Sequence, residues 1–148
     1  MSLKNKYKTS ADKANSGVWF DYPDCPNADG TIPGFLMARK NNQNKEYSRA
    51  IRAFTKDHTS DDGEMDISGL SDEEAAEADL SVFVSSLLLD WRNFQPEDDG
   101  KEMKYTKEDA RVIFGDPDWS DFYKDLLKKC TRGTAYKEKQ LKAEAKNS

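Results

Sequence analysis

Residues 80–122 constrain the fold of this chain more than any other part of its sequence. An apolar run, SVFVSSLLLDW, passes into the turn-rich segment RNFQPEDDGKEMKYT, and KEDARVIFGDPDWSDFYKDLL follows at once. The signals come in the order of an amphipathic helix ending at a tryptophan, an acidic glycine turn, a helix start and a second start at proline. This order predicts a core made mainly of helices that are joined by polar turns.

The longest predicted helix begins at a capping box, in which Ser71 is followed three residues later by Glu74. The acidic residues of its first turn are also stabilised by the positive end of the helix dipole. Apolar side chains then recur at helical spacing: Ala76, Leu80, Phe83, Val84, Leu87, Leu88 and Trp91. The pattern predicts one continuous central helix that extends to Trp91.

Two shorter helices are predicted after the acidic turn. Thr106 with Asp109 indicates a cap for the first, and Gly115 ends it. The second restarts at Asp116-Pro117, because proline is tolerated in the first turn of a helix. Its apolar stripe consists of Trp119, Phe122, Tyr123, Leu126, Leu127 and Cys130, and we expect Gly133 to end it.

The N-terminal part of the chain supplies the predicted β structure. Residues 17–22 and 35–40 are β-prone runs on either side of a turn-rich loop, so we predict a β-hairpin. A helix capped by Asn42 or Asn44 should follow. Its apolar stripe at i, i+3, i+4 and i+7 consists of Tyr47, Ala50, Ile51 and Phe54.

The predicted fold is therefore α+β and mostly helical, with a small N-terminal β-hairpin packed on three to four helices. We expect a flexible arm over residues 1–16 and a single domain over residues 17–132 that carries an acidic loop at 57–70. Residues 133–148 should form a polar tail that is helical or frayed, since a polar helix of this length is marginal in water. A chain of 148 residues is long enough to bury a core.

The charge of the chain is strongly partitioned. Residues 57–100 carry a net charge of −13, whereas the parts before and after them carry +5 and +3. The acidic middle would repel phosphates, which argues against nucleic-acid binding. No stretch approaches the roughly 18–20 apolar residues that span a bilayer, and the first residues lack the apolar core of a signal peptide, so we expect a cytosolic protein.

Residue types that carry chemistry are sparse. His58, the single histidine, lies in a polar acidic loop without a neighbouring nucleophile or orienting group. Cys25 and Cys130 are far apart in sequence, and we expect two free thiols. The acidic turns NADG, SDDG and EDDG lack the glutamate that an EF-hand needs at position 12. We therefore expect no catalytic residue, no metal site and no cofactor, and we predict a binding or assembly protein.

Residues 82–127 resemble the tail assembly chaperones of long-tailed phages, the siphophage type in particular. The resemblance is carried by an apolar helix that runs into Trp91, an acidic turn ending at Gly100, a Tyr105-Thr106 helix start with acidic residues and alanine, and a restart at Pro117. The two-stranded N-terminal element and the helix after it fit the same layout. The long acidic insert over residues 57–69 departs from the pattern, as do the isoleucine and phenylalanine of the short helix, where leucine would be commoner.

The resemblance implies a non-enzymatic protein that binds the tape measure protein, a very long helical chain prone to aggregation. The chaperone would keep this chain soluble while the tail tube assembles around it. Contact with the tail tube protein and self-association are compatible with this role, whereas nucleic-acid and membrane partners are not expected. The implied location is the host cytoplasm, with the protein absent from the mature virion.

A holdase for an amphipathic chain needs an apolar groove flanked by charge. If a groove exists, we expect large aromatic residues to contact the partner, because they carry much of the binding energy at interfaces. The candidates are Trp19, Trp91, Trp119 and Phe122. In the simpler alternative these residues only form the core.

Two other functions remain open at this point. The acidic middle of the chain is compatible with an inhibitor or nucleic-acid mimic that binds a basic partner. A hydrolase that uses acidic residues with a divalent metal is the weakest alternative.

Overall fold

The computed structural model describes residues 2–59, 69–97 and 99–137, which form an α+β fold. The strands among these residues are β1 (Val18–Asp21), β2 (Gly34–Met37) and β3 (Leu88–Arg92). The α-helices are α1 (Leu3–Tyr7), α2 (Ala11–Ser16), α3 (Lys45–Asp57), α4 (Asp72–Val82), α5 (Lys107–Gly115) and α6 (Ser120–Thr131). The predicted fold class is confirmed. None of the described helices is long and apolar enough to cross a membrane.

The three strands form an antiparallel sheet in the order β1-β2-β3. The predicted hairpin is confirmed, with Phe20 of β1 opposite Phe35 of β2. Its strands are shorter than predicted. On the other side of β2, Phe35 lies opposite Trp91, and the pairing shifts between Leu36 and Met37.

The prediction of one helix from Ser71 to Trp91 is wrong in its last part. The capping box of Ser71 and Glu74 is confirmed, but α4 passes into a single π-helical turn, Phe83–Leu87, and the chain continues as β3. An apolar run such as Leu87-Leu88-Leu89 does not itself distinguish helix from buried strand. The free side of β2 decides the outcome, because β3 pairs with backbone groups that would otherwise be buried without partners.

The later helix signals are mostly confirmed. Thr106 accepts a hydrogen bond from the Asp109 amide and caps α5, which ends at Gly115. Pro117 begins a short 3-10 turn, Pro117–Trp119, that leads into α6. Gly133 does not cap α6: the helix ends at Thr131, and Gly133 begins another 3-10 turn, Gly133–Tyr136.

The core lies between the sheet and the helices α4 to α6. Its buried apolar residues include Phe35, Met37, Leu80, Phe83, Leu87, Ala110, Ile113, Phe114, Leu126 and Cys130. Tyr136 belongs to the same core and is fully buried, although it lies in the segment predicted as a tail. Residues 138–148 of that tail and residues 60–68 of the acidic loop lie outside the described residues.

The predicted N-terminal arm contains α1 and α2. Ala14 of α2 is fully buried, and its carbonyl accepts a hydrogen bond from the Arg39 amide (3.0 Å). The Ser10 amide donates to the Tyr136 carbonyl (2.8 Å), so this segment is attached through its backbone. An apolar periodicity is not needed for such an attachment, which explains why the sequence pattern did not show it. The flexibility of the arm stays a prediction.

Candidate partner-binding groove

Three of the four predicted contact residues lie in one group of aromatic rings. Trp91 and Trp119 both pack edge-on against Phe94, with ring centroids 4.9 and 5.4 Å away. Phe122 contacts Trp119 (5.9 Å) and Phe35 (5.0 Å) in the same manner. These distances and angles are typical of stabilising edge-to-face pairs. We call these five residues the aromatic cluster.

The aromatic cluster fills the interior of the fold and does not line an open groove. Trp91 is only 5% exposed, and its indole N–H donates to the Met103 carbonyl (2.7 Å). Trp119 and Phe122 are partly buried against the core. Trp91 can therefore reach a partner only if the core opens, and a contact role for Trp119 and Phe122 stays a prediction.

Trp19 lies apart from the aromatic cluster, on β1. The Arg92 guanidinium lies 4.2 Å from its ring centroid, within the range of a cation–π contact. Arg92 also donates to both oxygens of Asp21 (3.0 and 3.1 Å). This pair spans β2 at Gly34, where a Cβ atom would clash with the Asp21 carboxylate. Trp19 therefore belongs to a contact between the two outer strands.

An open groove of about 650 Å³ lies between α4 and α6, and we call it the α4/α6 groove. Its apolar lining consists of Ala76, Leu80, Phe114, Pro117, Tyr123 and Leu127. Its charged lining consists of Glu73, Glu77, Asp79, Asp116 and Lys124. An apolar trough with charged edges is the form of site that binds one face of an amphipathic helix.

The α4/α6 groove is open because small residues border it. Ala76 is exposed on α4, where a larger apolar side chain would fill the space. Gly115 stands at the end of α5, and a Cβ atom there would touch Leu80 at 3.4 Å. Ala76 thus gives α4 a slim surface on the side that lines this groove.

The electrostatic potential of the α4/α6 groove is negative, since four carboxylates face a single ammonium group among its lining residues. Glu77 is partly neutralised by an ion pair with Arg111 of α5. Burial, and secondarily the charge of Asp79, raises the pKa of Tyr123 to about 12. The Tyr123 hydroxyl is therefore neutral at physiological pH and available as a hydrogen-bonding group.

A second, smaller groove of about 320 Å³ lies on the other side of α4, against α3. Its lining consists of Ile51, Phe54, Leu70, Ala75, Ala78, Asp79 and Val82. Ile51 is 37% exposed, and α3 contributes no buried residue, although its apolar stripe matches the prediction. We call this the α3/α4 groove. Ala75 and Ala76 are neighbours in sequence, yet each lines a different groove.

The structure shows what surrounds the histidine and the two cysteines that the sequence singled out. The His58 ring stacks on Phe54 (4.2 Å), and its Nδ1 lies 2.9 Å from the Phe54 carbonyl. Cys25 is exposed and Cys130 is buried, and the prediction of free thiols is confirmed. Among the described residues, no three His, Cys, Asp or Glu side chains are grouped so that they could hold a metal ion.

Sequence comparison identifies one relationship. A family model described as YdaY prophage protein matches residues 42–147, which include α3, α4, α5, α6 and both grooves. No curated protein and no solved structure shows significant similarity to the chain.

Proposed function

The chain belongs to the YdaY prophage protein family, and we propose that it acts as a tail assembly chaperone of its prophage. In this role it binds the tape measure protein without catalysing a reaction. It keeps that protein soluble in the host cytoplasm until the tail tube has assembled around it. The observation that carries the proposal is the α4/α6 groove.

The dimensions and chemistry of the α4/α6 groove suit one face of a helix. Its volume of about 650 Å³ accommodates several apolar side chains, and Leu80, Phe114 and Leu127 supply apolar contacts. A long helical chain exposes such side chains at intervals of three and four residues and aggregates through them. Covering these side chains in a groove is what a holdase has to do.

The aromatic cluster supports the groove from behind. Phe122 of the cluster lies against Phe114 with ring centroids 6.0 Å apart, and Phe114 lines the groove. Tyr123, the next residue on α6, packs on Phe83 (4.6 Å) and also lines the groove. We assign Trp119 and Phe122 the role of holding α6 in position, so that Tyr123 and Leu127 face the partner.

Co-expression with the tape measure protein of the same prophage tests the function. We expect the tape measure protein to move from the insoluble to the soluble fraction and to co-purify with this chain. An unrelated acidic protein of similar size, expressed in its place, should leave the tape measure protein insoluble. A tape measure protein that stays insoluble, or that does not co-purify, contradicts the proposal.

Salt dependence separates this function from that of an acidic inhibitor. A complex held mainly by apolar contacts in the groove should persist at high ionic strength, because screening weakens only its charged contacts. An inhibitor that acts through the acidic surface would instead bind a basic nucleic-acid enzyme and release it as salt increases.

A further inference from the structure

Two carboxylates of the α4/α6 groove have no cation beside them. Glu77 forms an ion pair with Arg111, and the Asp116 side chain accepts a backbone hydrogen bond in the turn before α6 (2.9 Å). Among the described residues, the side chains of Glu73 and Asp79 make neither an ion pair nor a hydrogen bond. Their charges are therefore available to a molecule that enters the groove.

Both of these carboxylates belong to the wall that α4 forms. Glu73 lies in the first turn of α4, three residues before Ala76, and Asp79 lies three residues after Ala76. At a rise of 1.5 Å per residue, the two are about 9 Å apart along the helix axis. They thus flank the point on α4 where the small Ala76 side chain leaves room for an apolar group.

The wall that α6 forms has a different charge. It contributes Lys124, which forms no ion pair with any other described residue, together with Tyr123 and Leu127. The charge of Asp79 acts across the groove, because it is the second cause, after burial, of the raised pKa of Tyr123. The negative charge is therefore concentrated along α4.

Helix stability accounts for Glu73 but not for Asp79. The helix dipole stabilises a carboxylate in the first turn, and this effect falls off beyond that turn. Asp79 lies well beyond the first turn of α4, and the residues three and four positions before and after it are all uncharged. No cation on α4 itself can therefore offset its charge through a neighbouring turn.

We propose that the α4/α6 groove binds a basic amphipathic helix of the tape measure protein. On the side that faces α4, lysine or arginine residues six or seven positions apart flank the apolar stripe of this helix. The inference rests on the proposed function and adds the charge pattern of the partner. Cations at this spacing lie about 9–10 Å apart along a helix, which matches the separation of Glu73 and Asp79.

The length of the basic side chains suits this arrangement. The apolar stem of a lysine or arginine covers the edge of the trough while its charged end reaches a carboxylate. A helix with glutamates at the same positions would bring like charges together beside apolar surface, which disfavours the wrong partner. Apolar contacts hold either complex at high salt, so the charges determine which helix binds and the apolar stripe supplies most of the affinity.

Two designed helical peptides test the charge pattern. They share one apolar stripe and a length of about 20 residues, enough for a helix in water. One carries lysine at the two flanking positions and the other carries glutamate. We expect the lysine peptide to bind the full chain at least about tenfold more tightly at about 0.05 M salt, measured by fluorescence anisotropy. The preference should shrink to about twofold at about 0.5 M salt, because screening increases.

Substitutions in the chain locate the preference. Glu73→Gln and Asp79→Asn should each weaken binding of the lysine peptide about threefold and should not weaken binding of the glutamate peptide. Asp72→Asn is the matched control, because it removes a carboxylate from the same first turn as Glu73 but does not line the groove. It should bind both peptides as the unsubstituted chain does. Ala76→Trp should abolish binding of both peptides, since it fills the trough.

The outcomes separate this inference from the proposed function. Equal binding of the two peptides, or normal binding of the lysine peptide by Glu73→Gln and Asp79→Asn, overturns the charge pattern, even if co-expression solubilises the tape measure protein. A lysine peptide that does not bind overturns it as well. Sedimentation of the chain alone tests another occupant: a dimer that Ala76→Trp dissociates would show that a second copy covers the groove, and would overturn the inference.

Discussion

Tyr136 attaches the C-terminal end of the described chain to the sheet. Its ring is fully buried, and its hydroxyl donates to the Met37 carbonyl of β2 (2.8 Å). Burial is the main reason that the pKa of this hydroxyl lies far above its usual value, so the group is a neutral donor. A buried hydroxyl of this kind stabilises the fold only while its partner is in place.

Tyr136→Phe should therefore destabilise the protein. The substitution leaves the Met37 carbonyl without this donor, and we expect the free energy of unfolding to fall by about 1–2 kcal/mol. Urea denaturation measures the change. Tyr7→Phe is the control, because Tyr7 is 56% exposed and the substitution should have no effect. Equal stability of Tyr136→Phe and the unsubstituted chain would show that the hydrogen bond contributes nothing.

The two thiols should differ in reactivity. Burial raises the pKa of Cys130 to about 11, while Cys25 is exposed. The thiolate is the reactive form, so a thiol reagent at about pH 8 should modify only Cys25 in the folded protein. After unfolding in urea, both thiols should react. Rapid modification of Cys130 in the folded protein would contradict the core described above.

At the scale of elements, local signals were predictable and distant pairings were not. The caps at Asn44, Ser71 and Thr106 depend on bonds between residues three positions apart, so the sequence contains the whole interaction. β3 and the burial of Tyr136 depend on β2, which lies about 50 and 100 residues earlier. A single sequence carries no signal for such pairings.

The α4/α6 groove illustrates the same limit for the candidate site. The helices that border it were predicted, and Ala76 and Leu80 were assigned to the apolar face of α4. Whether a neighbouring side chain fills the space beside Ala76 depends on how α5 and α6 cross α4. The large aromatics that drew attention in the sequence lie behind the groove, whereas alanine and glycine create the opening.

Asn44 joins the start of α3 to the backbone at Arg39 and at Ser86, and its substitution tests the packing of these elements. It is 1% exposed; its amide group donates to the carbonyls of Arg39 (3.0 Å) and Ser86 (2.9 Å), and its oxygen caps α3 at Tyr47. Asn44→Ala removes all three bonds, so we expect a loss of about 3 kcal/mol in the free energy of unfolding.

Urea denaturation followed by circular dichroism measures this loss. Asn42→Ala is the matched control, since Asn42 is exposed two residues earlier in the same loop. A loss below about 1 kcal/mol for Asn44→Ala would mean that Asn44 acts only as an ordinary helix cap.

At the scale of the whole molecule, the buried cysteine and tyrosine side chains determine how the stability of the fold changes at high pH. Burial raises the pKa values of Cys130 to about 11 and of Tyr123 to about 12, and it raises those of Tyr22 and Tyr136 further. The unfolded chain loses these protons first, because the ordinary pKa is 9.0 for a cysteine thiol and 10.0 for a tyrosine hydroxyl. The stabilising contribution is thus complete below about pH 9 and is lost as pH rises through the folded values.

We expect the contribution of these groups to the free energy of unfolding to be constant between about pH 7 and 8.5 and to fall steeply above about pH 9. Urea denaturation at a series of pH values measures this, and tyrosinate absorbance identifies the groups that ionise. Stability that stays unchanged up to about pH 11 would contradict the burial of these groups.

The chain as a whole carries its candidate partner site in the acidic α4/α6 groove. The central claim concerns this groove: one face of a helical partner binds between α4 and α6. Ala76 and Ala75 provide a matched pair to test it, because both are exposed on α4 and they line different grooves. A tryptophan at either position costs little helix stability.

The most direct measurement is the amount of soluble tape measure protein obtained by co-expression with Ala76→Trp, Ala75→Trp and the unsubstituted chain. We predict that Ala76→Trp, which blocks the α4/α6 groove, loses the solubilising effect. Ala75→Trp should keep it, and both variants should unfold at the same urea concentration as the unsubstituted chain. Full solubilisation by Ala76→Trp, or a loss confined to Ala75→Trp, would contradict the account.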